Sequence, residues 1–417
     1  MEHKTERFPE SPAADAAGLL LRLGFGLLVM VAPVSALFSR RAFIVLVPVG
    51  ALLIVAAALL RDSGGLSHRL RDAVLSPTGM AALGLGIWCA LSLAWTPFPG
   101  PAAERLLRTL GIGVLALAVV SALPQRMRAS NLHLMSIGVA AATLALIVAA
   151  VLGPSALRFL RDLETPTIGR AAAAAGVMVW PAVAWTMTRG RDGQAFSLIA
   201  VCGVAIAASG SLDAAVVMIL ALAVFLAART MPTTTGRMLS IAFPAAVLAA
   251  PILAFAARFL ARAMRLRADH DLTEIGHWAD AIAAQPIRLI TGHGFDTALR
   301  ARLAGLVDPR APGGLISDTW YDLGLIGATG LALVLWLMFR TLAGLAQPVA
   351  ATALAVATAI AAFAIIDPTA LQVWWLCVML VAALMLAAVE SGQYRTTRPA
   401  ALVQQGGPRR PVARIGR

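Results

Sequence analysis

The chain has 417 residues, is 59% hydrophobic and only 13% charged, and has a mean hydropathy of +0.82. Soluble domains carry about 25% charged residues and about 45–50% apolar ones, so a single water-facing core is excluded. Three cysteines, non-periodic glycine and a high apolar content also exclude disulfide scaffolds, collagen and disorder, leaving an all-α polytopic membrane protein.

Taken in chain order, apolar runs long enough to cross a bilayer predict twelve spans. They lie at 16–38, 42–60, 79–95, 107–123, 132–153, 170–188, 194–209, 211–228, 238–257, 318–339, 348–366 and 369–390. The first fifteen residues carry Glu2, Glu6, Glu10 and Asp15, unlike the basic start of a signal peptide, so the first run reads as an uncleaved span. The organisation is therefore helices one to nine over 1–257, a large loop over 258–317, helices ten to twelve over 318–390, and a basic, Pro- and Gly-rich tail over 391–417 that reads as disordered.

Of the 34 basic residues only Lys4 is lysine, and the net charge is +13. The charges are scattered between apolar runs, which does not suggest nucleic acid. Arginines in the short loops predict cytoplasmic N- and C-termini, with membrane lipids as partners. Arg61, Arg69, Arg71, Arg126, Arg128, Arg189, Arg191, Arg229, Arg237 and Arg340 then lie inside. The outer face is also rich in arginine, at Arg105, Arg108 and Arg170 and through the long loop, and that excess calls for a function.

Loops longer than about 12–15 residues are usually functional or disordered, and 258–317 contains Trp278 and a turn at Gly292–His293–Gly294 that argue for order. Arg258, Arg262 and Arg265 recur at i, i+4 and i+7 and share one helical face. Guanidinium forks on one face suit a phosphate or diphosphate; the plainer alternative is a helix end reaching lipid headgroups. Asp322, just inside the tenth span, is expected to cap or pair.

The run Gly292-His293-Gly294-Phe295-Asp296, followed by Trp320-Tyr321-Asp322-Leu323-Gly324-Leu325-Ile326-Gly327, resembles the signature of the O-antigen ligase and polymerase superfamily. Gly169-Arg170 before Trp180-Pro181, and Ser209-Gly210-Ser211 between two middle spans, resemble other elements of that family. The resemblance implies a GT-C-like membrane fold with one large periplasmic loop in the bacterial inner membrane. It implies a glycosyltransferase of lipopolysaccharide biosynthesis, with an undecaprenyl-diphosphate-linked glycan as donor and lipid A–core or another glycan as acceptor, and with no cofactor and no metal. On it, His293 and Asp296 are the catalytic candidates. Arg170, Arg258, Arg262, Arg265, Arg288 and Arg300 are the candidate diphosphate ligands.

The sequence departs from that pattern at one place. Ligases of the family carry a His-Asn pair seven or eight residues before the tyrosine, where this chain has Gly313-Gly314. A base would then come from His293, His277, His270, Asp296 or Asp318. Polymerase, transporter and non-catalytic readings stay open. A transporter predicts repeat symmetry and helices broken at mid-membrane. No nucleotide-binding loop, zinc-protease motif or Cys-x-x-Cys pair occurs.

Overall fold

The computed structural model describes residues 12–156, 165–264, 271–367 and 372–392. Arg265 and His270 lie outside these residues, as does the tail from 393 onward.

The described chain is helical, without strands. The first crossing is α1 (Pro12–Gly26), a π-helical turn at Leu27–Val31, and α2 (Ala32–Phe38). Ser39 caps α3 (Arg40–Leu75), its Oγ accepting the Ala42 N–H at 3.3 Å; α3 bends at Asp62. Ser76 caps α4 (Pro77–Ser92) in the same way, with Pro77 in the first turn. Next come α5 (Pro99–Ser121), α6 (Ala129–Ala156), α7 (Thr165–Thr188) and α8 (Asp192–Ser209). Gly210 turns the chain into α9 (Leu212–Thr230), which leads to α10 (Pro232–Ala263). The loop holds α11 (Asp271–Ala284), α12 (Arg288–Thr291) and α13 (Thr297–Leu303) before α14 (Leu315–Ala343), α15 (Val349–Ile366) and α16 (Val373–Glu390).

Ten of these crossings are long and apolar enough to span a membrane, and the protein is a multipass membrane protein. The two remaining predicted spans, 79–95 and 107–123, correspond to α4 and α5. α4 has 16 residues, about 24 Å at 1.5 Å per residue, shorter than a hydrocarbon core of about 30 Å. α5 carries Glu104, Arg105 and Arg108 in its first turns. Large side chains such as Leu83, Ile219, Ile252 and Phe259 stand on the outer surface, where a lipid solvent accepts them.

Contacts define two ends of the bundle. At one end Gly314 packs on Ile365, Gly169 lies beside Ser211, and Thr96 meets Thr297. At the other, Arg69 donates to the Ser121 carbonyl at 2.8 Å, Met127 N–H to the Ser391 carbonyl at 2.8 Å, and Gln347 to the Ala228 carbonyl at 2.7 Å. All the loop helices gather at the first end.

Small residues set the closest approaches, as expected where lipid removes the hydrophobic drive between helices. A Cβ on Gly24 of α1 would stand 2.7 Å from the Gly50 carbonyl of α3. α7, α15 and α16 form the centre, with Trp180, Trp185 and Trp375 fully buried. A second core lies under the loop, where α10, α11 and α14 enclose Val247, Trp278, Ile282 and Trp320. Trp320 Nε1 donates to the Val247 carbonyl at 2.7 Å and ties α14 to α10. α10 runs on through Arg258 and Arg262 to Ala263, so the connecting segment starts later than 258.

Candidate functional site

α14 is broken at Gly324, whose φ of 63° and ψ of −159° belong to glycine alone. A broken helix leaves carbonyls without intrahelical donors, and in a membrane each must find another. Three such carbonyls find them in the turn 292–294 and in α4. Tyr321 O accepts His293 N–H at 2.9 Å, Asp322 O accepts Gly294 N–H at 2.9 Å, and Leu323 O accepts Trp88 Nε1–H at 3.0 Å. The fit excludes side chains at both glycines of the turn. A Cβ on Gly292 would meet the Asp322 carbonyl at 2.1 Å, and one on Gly294 would meet Thr96 at 2.5 Å.

Asp322 then fixes the following residues. Its Oδ2 accepts Asp296 N–H at 3.0 Å and its Oδ1 accepts Ala298 N–H at 2.6 Å, which caps the start of α13. This is the capping role expected of Asp322. Asp296 takes the left-handed conformation, φ 62°, and its carboxylate is 1% exposed. Arg105 of α5 holds one of its oxygens, and Arg300 Nε donates to the other at 2.9 Å. With both oxygens engaged by guanidinium groups, Asp296 acts as an anchor for arginines.

One turn away, Arg302 grips Asp318 through two parallel bonds of 2.9 and 3.2 Å. Both side chains are largely withdrawn from solvent, 13% and 8% exposed.

His293 occupies the wall of a cleft of about 400 Å³ between α11, α13 and the upper half of α14. Its ring stacks on Tyr321, centroids 4.1 Å apart and planes 9° from parallel. Nδ1 lies 3.1 Å from the Tyr321 carbonyl oxygen. A carbonyl can only accept, so Nδ1 carries the proton and Nε2 keeps its lone pair. Burial lowers the pKa of His293 below its ordinary 6.5 against the raising effect of that hydrogen bond, and nearby Arg288 lowers it further. The imidazole is therefore neutral near pH 7. Arg288 and Gln285 line the same cleft. So does Trp95, whose indole N–H is buried without a partner among the described residues.

The other candidates lie apart from this cleft. Arg258 and Arg262 share a face of α10, as their spacing predicts, and both turn to Asp280 of α11 at 2.9 and 3.5 Å. Arg170 lies in the second turn of α7, whose main contacts are with α2, α6, α8, α9, α15 and α16. His277 Nδ1 lies 3.4 Å from Asp308, which Arg310 also holds; that arginine's hydrogen bonds keep the Asp308 carboxyl below its usual range. No three His, Cys, Asp or Glu side chains among the described residues cluster as a metal site requires.

Gly314, at the place of the expected His-Asn pair, has φ 135°, and a Cβ there would meet the Ile365 carbonyl at 2.4 Å. The backbone of α15 occupies the room a side chain would need. Residues that sequence reasoning did not assign to the site are Trp95, Thr96, Gln285 and the Arg105 that meets Asp296. They come from distant segments, and no local pattern joins them to the turn at 292–296.

No family model and no curated protein matches the chain.

Proposed function

We propose that the protein is a glycosyltransferase of the O-antigen ligase type. In this reading it sits in the bacterial inner membrane, with the loop on the periplasmic side and both termini in the cytoplasm. It moves a glycan from undecaprenyl diphosphate to a sugar hydroxyl of lipid A–core, with no metal or other cofactor. The observation that carries the reading is the state of His293: a neutral, oriented imidazole with Nε2 unprotonated, in a cleft that also presents Arg288.

The acceptor hydroxyl gives its proton to Nε2 of His293 while its oxygen bonds to the anomeric carbon. The bond from that carbon to the diphosphate breaks, and its electron pair stays on the diphosphate oxygen. Arg288, fixed in the same cleft, stabilises the charge that develops there. Asp296 holds Arg105 and Arg300 beside the turn, and Arg302 stays locked on Asp318.

Gly314 favours a second member of the same superfamily, a polymerase, in which the acceptor is another repeat unit. A transporter reading draws less support. Among the described residues, Gly153 breaks α6 near its end, and Asp62 breaks α3 beyond its apolar run, next to Arg61, and not within that run.

The test is surface-glycan analysis of a deletion strain complemented with wild type, His293→Ala, Arg288→Ala or Arg258→Ala at matched expression. Loss of a general base costs about 10²–10⁴ in rate, so His293→Ala should leave long glycan off its acceptor while lipid-linked polymer accumulates. Arg258→Ala should retain transfer. Capping by single repeat units would assign the polymerase. Full rescue by His293→Ala would reject this site, and an unchanged profile in the deletion strain would reject the function.

A further inference from the structure

The end of the bundle away from the loop carries a second concentration of arginine. Arg22 of α1, Arg61 of α3, and Arg126 and Arg128 in the connection from α5 to α6 line one recess of about 550 Å³. Asp15 lines it too, the one carboxylate among its described lining residues, and Arg61 and Arg126 also line a neighbouring recess with Asp62. None of the four arginines pairs with an acid among the described residues.

Asn131, in the first turn of α6, forms the floor of the recess. It is only 7% exposed, yet its side-chain amide has no hydrogen-bond partner among the described residues. The amide reaches the solvent of the recess, and a ligand oxygen would take the place of the water there. Four forked donors and this amide together describe a receptor for an oxyanion with several acceptor oxygens.

The flank of the recess shows where such an anion comes from. Leu19 of α1 lines it and is 59% exposed, and Leu23, one turn on, is 55% exposed. An apolar, outward-facing stripe thus begins at the arginines and continues along the membrane-crossing helix. A soluble phosphate would make no use of that stripe, whereas an acyl chain attached to a phosphate would lie along it.

We propose that this recess is a binding site for the phosphate headgroup of an anionic lipid, with the acyl chains against α1. The proposal does not rest on the glycan-transfer reading and stands or falls separately from it.

The experiment uses the full chain in neutral detergent micelles. Binding of acyl-labelled fluorescent phosphatidylglycerol is followed by anisotropy, with acyl-labelled phosphatidylcholine as reference. Wild type should prefer phosphatidylglycerol. At roughly fivefold per arginine, Arg126→Gln with Arg128→Gln should weaken that binding about 25-fold and leave phosphatidylcholine unaffected. Asn131→Asp, nearly isosteric but negative, should also weaken it and covers the case in which the double variant does not stay monodisperse. The control pair is Arg237→Gln with Arg340→Gln, from a separate recess between α10 and α14 at the same end. It should change little.

Equal loss in the control pair would mean diffuse charge attraction and would overturn the site, as would unchanged binding in both recess variants. Inorganic pyrophosphate should compete only weakly. Strong competition, together with no preference between the two lipids, would assign the recess to a soluble phosphate and overturn the lipid.

Discussion

Asp322 of the tenth predicted span accepts the backbone N–H of Asp296 at 3.0 Å, joining a helix interior to a loop turn 26 residues earlier in the chain. Its second oxygen takes the N–H of Ala298. The carboxylate thus replaces backbone carbonyls as the acceptor for the first turn of α13. Asp322→Asn puts an amide N–H where one of these oxygens accepts, and two donors then face each other. Leaving a buried donor unsatisfied costs about 1–3 kcal/mol, so a loss of about that size is expected. Thermal unfolding in detergent measures it; an unchanged midpoint would show that the turn holds without this cap.

Arg302 and Asp318 separate the value of a pair from the cost of an orphan. Arg302→Ala leaves a carboxylate withdrawn from solvent with no partner, a change that typically costs about 3–5 kcal/mol. Arg302→Met combined with Asp318→Leu removes both charges and should recover most of that loss. Urea unfolding of the three proteins in mild detergent gives the comparison. A double variant as unstable as the single one would mean that the pair itself stabilises the fold.

Acid should weaken the site through His293. Its folded pKa lies below the ordinary 6.5, so the folded protein binds fewer protons than the unfolded one as His293 titrates. The stability linked to this group is therefore complete above about pH 6.5 and declines as pH falls through the folded pKa. Replacing His293 by Phe keeps a ring for Tyr321 and removes the titration. The unfolding midpoint, followed from about pH 8 to about pH 5, should fall less steeply in His293→Phe. Identical slopes would place the acid sensitivity elsewhere.

Gly324→Ala and Gly111→Ala form a matched test of backbone constraint. At 324 the new Cβ would stand 2.5 Å from the Ile290 carbonyl, on a backbone with positive φ. Position 111 has ordinary helical geometry and nothing within 4 Å. The first substitution should lose folded protein in a detergent-extraction assay, at a cost exceeding the about 1–3 kcal/mol of strain alone. The second should be neutral or gain about 0.4–1 kcal/mol. Wild-type yield from Gly324→Ala would show that α14 does not need its break.

Much of this architecture was legible because each crossing is a long apolar run between turn residues. The sequence was less informative for α4 and α5. Their predicted spans reach full length only by including residues that the structure puts outside the helices, such as Trp95 and Leu123, and the second also takes in Arg108. At the site, the Gly-His-Gly turn and Gly324 were visible as motifs, but their meeting was not. It depends on hydrogen bonds between positions such as His293 and Tyr321, separated by α13 and the irregular stretch 304–314. Arg258 and Arg262 shared a face as their spacing required. That spacing says nothing about the opposing residue, which is Asp280.

α7 is the least hydropathic of the ten spanning helices and also the most enclosed, with protein on nearly every side. A segment shielded from lipid has little need to partition into lipid by itself. During synthesis, however, α7 leaves the ribosome long before α15 and α16, which make up part of its shield. Until those last helices arrive, its alanine-rich surface must be held by α2, α6, α8 and α9 or by the insertion machinery. Biogenesis thus has a late closing step, in which the carboxy-terminal pair seals a helix already waiting in the bilayer.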